Sequence, residues 1–289
     1  MSDVSIPVVG GGEIAGTLWH AQQARAVVLV HPATGVRQAY YQAFASYLHE
    51  RGLHVLTYDY RGMGRSLTGK PGDLAVSMAD WIEDDVGAVT RWAEARFPGM
   101  ALLAVGHSVG GHAIALSSAT SALRAGVLVA SHAGVTRTVR GALERARVWL
   151  MLRVLGPVLC RCFGLMPARR LGLGEDLPKE VMRQWGYWST LPRYFYDDPA
   201  MQAVQRAARV RIPLLVLGFD DDPWANPHAI DLLLAPLVHA PIERRQMAPR
   251  EHGLAAIGHM GFFRTRCAPA LWPDVADWLL AQVNYEQKA

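Results

Sequence analysis

The sequence predicts an α/β fold: a mostly parallel sheet with helices on both faces. Three observations carry that expectation. Short apolar or β-branched runs at 26–30, 54–58, 101–105, 125–130 and 213–217 alternate with stretches of helical periodicity, as strands covered on both faces should. Each run ends in a polar or glycine-rich loop, and in such sheets the chemistry sits at the carboxyl ends of the strands. The third observation is Gly106-His107-Ser108-Val109-Gly110-Gly111. It lies between a strand-like run and His112-Ala113-Ile114-Ala115-Leu116, which reads as the start of a helix.

Residues 4–20 read as two short strands joined at Gly10-Gly11-Gly12. A dinucleotide-binding reading of that turn fails, because the strand-like run 14–19 comes next and offers no helix N-terminus to a pyrophosphate. The strand at 26–30 ends in His31-Pro32-Ala33-Thr34-Gly35. Tyr41, Phe44, Ala45 and Leu48 then recur at helical spacing over 38–50, and Gly52 closes the helix. The strand at 54–58 ends in Asp59-Tyr60-Arg61-Gly62-Met63-Gly64-Arg65-Ser66, and a helix over 78–97 stops at Pro98-Gly99. The run at 125–130 ends at Ser131-His132-Ala133-Gly134.

Beyond it the alternation breaks. From 135 to about 209 helical stretches are interrupted at Gly156-Pro157, Gly164, Pro167, Gly172 and Gly174, and no central strand is evident. This reads as an inserted helical lid. A strand at 213–217, a helix at 227–234 and a strand at 242–247 restore the pattern, and a last helix carries Val275, Trp278, Leu279 and Val283 on one face. The expected division is a core over 1–134, a lid over 135–209 and a second core segment over 210–289.

A chain of 289 residues that is 51% hydrophobic and 19% charged has the composition of a globular domain, which excludes disorder and a coiled coil. Three cysteines, with Cys160-x-Cys162 among them, match neither a zinc nor a disulfide framework. With no basic, apolar leader at the N-terminus, they point to a cytoplasmic protein. No apolar run reaches the length of a membrane span, so no transmembrane segment is expected.

The chemistry centres on Ser108. Strand, Gly-x-Ser-x-Gly and helix together describe a nucleophile elbow. A strained turn lifts the serine hydroxyl clear of the sheet, and the chain passes so close on both sides that Gly106 and Gly110 are needed. A serine hydroxyl is a weak nucleophile; it needs a base, and the base needs an orienting acid. His259 stands between glycines in a late loop, with His252 as its rival. The acid comes from Asp220-Asp221-Asp222: Asp221, three residues past Gly218, is preferred, and Asp222, ahead of Pro223, is the second choice. The oxyanion hole needs two backbone N–H donors. Val109 is one, and Ala33 or Thr34 is the other, since Pro32 has no N–H. His31, His107, His112 and His132 read as pocket walls or satisfied core histidines.

These motifs, with Gly258-His259-x-Gly261-Phe262-Phe263, resemble the α/β-hydrolase superfamily, within it a bacterial branch of serine hydrolases bearing Pro-Ala-Thr-Gly where relatives have His-Gly. The resemblance covers nearly the whole chain outside the lid. It implies an eight-stranded, mostly parallel sheet, a lid after the sixth strand and a Ser-Asp-His triad, but no particular substrate.

Between Val135 and Gly174 stand eight arginines (137, 140, 145, 147, 153, 161, 169 and 170) against one acid, Glu144. They read as a solvated helix face whose apolar side, Val148, Leu152 and Leu155, packs on the core. The sharper reading is attraction to an anionic substrate group or an acidic membrane surface. No nucleic-acid motif accompanies them. The aromatics at 185–196 either line an apolar pocket or pack. The resulting expectation is a serine hydrolase of carboxylic esters or thioesters acting on a small acyl substrate without metal or cofactor. An acyltransferase using the same triad, or a binding protein on this fold, are the alternatives.

Overall fold

The computed structural model describes residues 1–69 and 75–283. Among the described residues there are ten strands: β1 (Ser2–Pro7), β2 (Glu13–Trp19), β3 (Val27–His31), β4 (His54–Tyr58), β5 (Leu102–His107), β6 (Ala125–Val129), β7 (Leu165–Met166), β8 (Leu177–Pro178), β9 (Leu214–Phe219) and β10 (Ile242–Met247). Eight form one sheet in the order β1-β2-β4-β3-β5-β6-β9-β10. β1 and β2 pair antiparallel, as do β2 and β4; from β4 onward every pairing is parallel. β3, β4, β5, β6 and β9 are buried along their whole length, because helices cover both faces. Edge strand β10 instead carries Arg244 and Arg245, charges that discourage pairing with another sheet.

The helices that matter for the site are α1 (Gln42–Glu50), α2 (78–96, π-helical over Trp81–Asp85), α3 (Val109–Leu116), α4 (142–163, π-helical over Met151–Leu155), α5 (Lys179–Trp188), α6 (Ala203–Ala207), α7 (Pro227–Leu234) and α8 (Ala268–Val283). α3 is buried throughout and composed of small and apolar residues.

The loop after β4 is structural. Asp59 accepts the amide of Gln38 (2.7 Å) and that of Arg65 (2.9 Å). Arg61 donates its amide and guanidinium to buried Asp85 (2.8 and 2.5 Å). Burial pushes the Asp85 carboxyl up to about 7 against the pull of Arg61.

Between β6 and β9 the chain leaves the sheet. It forms α4, the β7–β8 hairpin, α5 and α6. α4 and α5 approach at glycines: a Cβ on Gly156 would lie 2.1 Å from Met182 Cε, and one on Gly186 2.8 Å from the Leu152 carbonyl. Leu152 is buried and Val148 partly so, both against the core. Leu155, expected beside them, is exposed, because the π-helical turn holds an extra residue and rotates the residues beyond it. Trp188, Tyr194, Phe195 and Tyr196 are buried and pack on one another, with Tyr194 and Phe195 also meeting His112. The insertion also reaches the loop after β3: the Glu175 amide donates to the Gly35 carbonyl (2.9 Å) and its carboxylate pairs with Arg37 (3.0 Å).

Candidate active site

Ser108 joins β5 to α3 with φ 53 and ψ −111. This conformation costs a non-glycine residue about 1–3 kcal/mol and persists only when its surroundings enforce it. The surroundings here are backbone. A Cβ on Gly106 would lie 2.3 Å from the Gly110 carbonyl carbon, and a Cβ on Gly110 would lie 2.2 Å from the His31 carbonyl oxygen. α3 thus packs directly on β3, and its free N-terminal amides face the same end of the sheet as Ser108. Gly110→Ala must push α3 from β3. We expect a loss of about 1–3 kcal/mol or more, read as a lower urea midpoint; a wild-type midpoint would contradict the close approach.

His259 sits in a short helical turn, Gly258–Gly261, anchored by the residues after it. Phe262 and Phe263 are buried against Phe44, with ring centroids 5.6 and 5.4 Å away. Trp272 of α8 donates to the Phe262 carbonyl (2.7 Å). Each such buried aromatic contributes roughly 1.5–3 kcal/mol.

His259 Nδ1 meets Asp222 Oδ2 at 2.8 Å. The other Asp222 oxygen accepts the amides of Trp224 (2.8 Å) and Ala225 (3.1 Å). Burial opposes ionisation of Asp222, yet the facing His259 with its hydrogen bond, His132 and the Trp224 amide together hold the carboxyl at about 2. An ionised acceptor makes Nδ1 the donor, so the neutral ring keeps Nε2 unprotonated.

The aspartate set against His259 is thus Asp222, the second choice of the sequence, and not the preferred Asp221. β9 runs one residue past Gly218, and the Asp222 amide closes a turn onto the Phe219 carbonyl (3.1 Å). That turn buries Asp222 and leaves Asp221 exposed. Asp221 instead accepts the amides of Ile257 (2.8 Å) and Gly258 (2.9 Å), so it fastens the loop that carries His259. His252 lines a groove with Arg245, Asp274 and Trp278 at the β10 edge, apart from Asp222.

The candidate oxyanion donors divide in the same way. The Ala33 amide is taken: it donates to the Tyr41 hydroxyl at 2.8 Å. The Ala33–Val36 turn, closed by the Val36 amide onto the Ala33 carbonyl (3.2 Å), places Gly35 at φ 73. Among the described residues neither the Thr34 nor the Val109 amide has a hydrogen-bond partner.

Sequence reasoning missed a network that ties these loops together. His107 Nε2 donates to the His259 carbonyl (2.9 Å), so its Nδ1 must accept, and the Tyr41 hydroxyl donates there (2.9 Å). Tyr41 Oη in turn accepts the Ala33 amide, while the neighbouring Tyr40 hydroxyl donates to the Met260 carbonyl. Burial first, and the facing His259 second, push His107 and His132 down to about 3. Both rings are neutral near pH 7. His132 and Trp224 flank the His259 ring, with centroids at 5.4 and 5.0 Å. The only sequence signal for this network was a pair of tyrosines on a helix and a histidine before the serine, a pattern that ordinary packing also produces.

Comparison with known proteins agrees with this architecture. The family model described as "Serine aminopeptidase, S33" matches residues 21–167. An Escherichia coli protein described as "Uncharacterized 31.7 kDa protein in traX-finO intergenic region" is 35% identical over 68 residues, 24% of this chain and only 22% of that relative. Among solved structures, the Pyrococcus furiosus esterase PF2001 superposes with a TM-score of 0.65 at 16% identity, covering 97% of this chain and 90% of that one. The α/β hydrolase GrgF from Penicillium sp. sh18 gives 0.63 at 16% identity, covering 98% and 97%. A Paleococcus ferrophilus monoacylglycerol lipase gives 0.59 at 14% identity, covering 93% and 99%. At these identities the structural likeness concerns the fold. The family match spans half of the chain and includes the elbow, so the protein is an α/β hydrolase that belongs to the family described as "Serine aminopeptidase, S33".

Proposed function

We propose that this hydrolase cleaves carboxylic esters or thioesters through an acyl-enzyme on Ser108, with His259 as the base and Asp222 as the acid. The observation that carries this reading is the His259–Asp222 pair, held by a loop tied to His107, the neighbour of the strained Ser108. In this mechanism Ser108 Oγ attacks the acyl carbon and its proton passes to His259 Nε2. The oxyanion receives hydrogen bonds from the Val109 and Thr34 amides. The leaving alcohol or thiol takes the proton from His259, and water repeats the sequence to release the acid. Asp222, ionised and hydrogen-bonded through both oxygens, fixes the ring and stabilises the imidazolium. The segment 135–209 serves as a lid over the two core segments, 1–134 and 210–289; its Glu175 contact with the Gly35 loop supports that role.

The test is a panel of p-nitrophenyl esters, acyl-CoA thioesters and aminoacyl anilides, run with and without acceptor alcohols. Turnover of esters or thioesters to free acid is expected. The family description names an aminopeptidase, and selective release of aminoacyl anilides would replace the esterase reading with that one. Transfer to the alcohol would make the protein an acyltransferase. No turnover and no fluorophosphonate labelling would leave a binding protein.

Tyr41→Phe gives a finer check. It leaves His107 Nδ1 and the Ala33 amide buried without partners, at about 1–3 kcal/mol for each such group. It also frees the Ala33 amide and loosens the loop of His259. We expect kcat to fall about tenfold with KM little changed, the signature of interactions made chiefly in the transition state. A variant with wild-type kcat would exclude Tyr41 as a positioning residue.

A further inference from the structure

Ten of the fifteen large hydrophobic side chains exposed among the described residues lie between 143 and 187, in the insertion. Their placement is ordered. Buried Leu152 and Gly156 mark the side of α4 that packs on the protein. On the opposite side Leu143, Leu150, Val154 and Val158 form one stripe at helical spacing, with Leu143 75% and Val158 53% exposed. Arg147 and Arg161 fall in the same stripe, one helical turn beyond Leu143 and Val158 respectively, and both are exposed. Trp149, which lines a groove with Thr136 and Ser189, and Phe163, at the C-terminal end of the helix, are each about half exposed.

Charge on this helix is mainly of one sign: residues 142–163 carry Arg145, Arg147, Arg153 and Arg161 against one acid, Glu144. Other acids nearby are Glu180 of α5, which acts on Cys160, and Glu175, which meets Arg169 at 3.8 Å. Glu144 reaches Arg147 only at 3.6 Å and accepts the Trp224 indole N–H. Arg161 has no hydrogen-bond or ion-pair partner among the described residues. A second copy of the chain would set arginines against arginines across the face. An apolar stripe rimmed by guanidinium groups instead complements a bilayer surface, where apolar side chains enter the acyl boundary and cations meet anionic headgroups.

We propose that the outer face of α4 docks this hydrolase on membrane surfaces bearing anionic phospholipids. The attachment is peripheral, since no helix among the described residues is long and apolar enough to cross a bilayer. The insertion that carries the face also contacts the loop of Thr34 through Glu175, so docking brings the lipid surface to the part of the molecule beside Ser108. The proposal does not depend on which acyl bond is cleaved.

The experiment is flotation of the full chain with phosphatidylcholine vesicles, with and without phosphatidylglycerol. Wild-type protein should float with the mixed vesicles at low salt, and less so as salt rises. Leu150→Glu with Val158→Glu should lower the partition constant at least about tenfold on the mixed vesicles. Arg147→Gln with Arg161→Gln should lower it about fivefold for each charge removed, and only where phosphatidylglycerol is present. Melting temperatures should stay at the wild-type value, because all four side chains are exposed. The proposal is overturned if wild-type protein floats with neither vesicle, or if both double variants float as well as wild type. It is also overturned if sedimentation shows a dimer that Leu150→Glu disperses, since the face would then belong to a second copy.

Discussion

Ser108→Ala is expected to lower kcat by a factor on the order of 10^4 or more with the fold intact. The substitution removes only the hydroxyl, so the two glycine contacts that hold the elbow remain. Alanine still bears the cost of φ 53, as serine does. The loss is that of the covalent route itself. The amides of Val109 and Thr34 would still polarise a bound acyl group, which is why a small residual rate is expected. A fluorophosphonate probe should label wild-type protein at Ser108 and fail to label the variant. Equal labelling of the two proteins would remove Ser108 from the mechanism.

Asp222→Asn is expected to cost on the order of 10^3 to 10^4 in kcat, and Asp221→Asn far less. The carboxylate of Asp222 uses both oxygens: one takes His259 Nδ1–H and the other two backbone amides. If the asparagine oxygen keeps the two amides, its NH2 faces Nδ1. The ring must then accept there and carry its proton on Nε2, where a base is needed. At Asp221 the asparagine oxygen still takes one of the two amides. The loop of His259 loosens, but the tautomer is unchanged, and a loss of roughly tenfold is expected. The ratio of the two kcat losses decides the assignment. Near-equal losses would return Asp221 to candidacy for the triad acid.

The difference between these aspartates shows where sequence reasoning stops. The parallel strands were legible because a strand covered on both faces leaves no polar alternation; β3, β5, β6 and β9 are buried along their length and apolar but for the terminal His31 and His107. The elbow was legible because backbone meets backbone there, and only glycine at 106 and 110 meets that condition. The candidate histidine could be named because a base that reaches over the sheet needs a late loop between glycines. Residue type alone expressed these features: apolar runs where strands are covered, and glycine where backbones meet, Gly106 against Gly110 and Gly110 against the His31 carbonyl of β3.

Tertiary structure decided the rest. One further residue of β9 and a turn onto Phe219 turned Asp222 inward and Asp221 outward, a choice that neighbouring identical residues cannot express. Tyr41, from the 3-10 turn Gln38–Tyr41 that leads into α1, claimed the Ala33 amide and left that of Thr34. The π-helical turn in α4 moved Leu155 from the packed side to the exposed one. Each outcome rests on hydrogen bonds or packing between segments, many of them distant in the chain. Side-chain periodicity carries no information about such pairings, because which residues face each other is settled only when the elements dock.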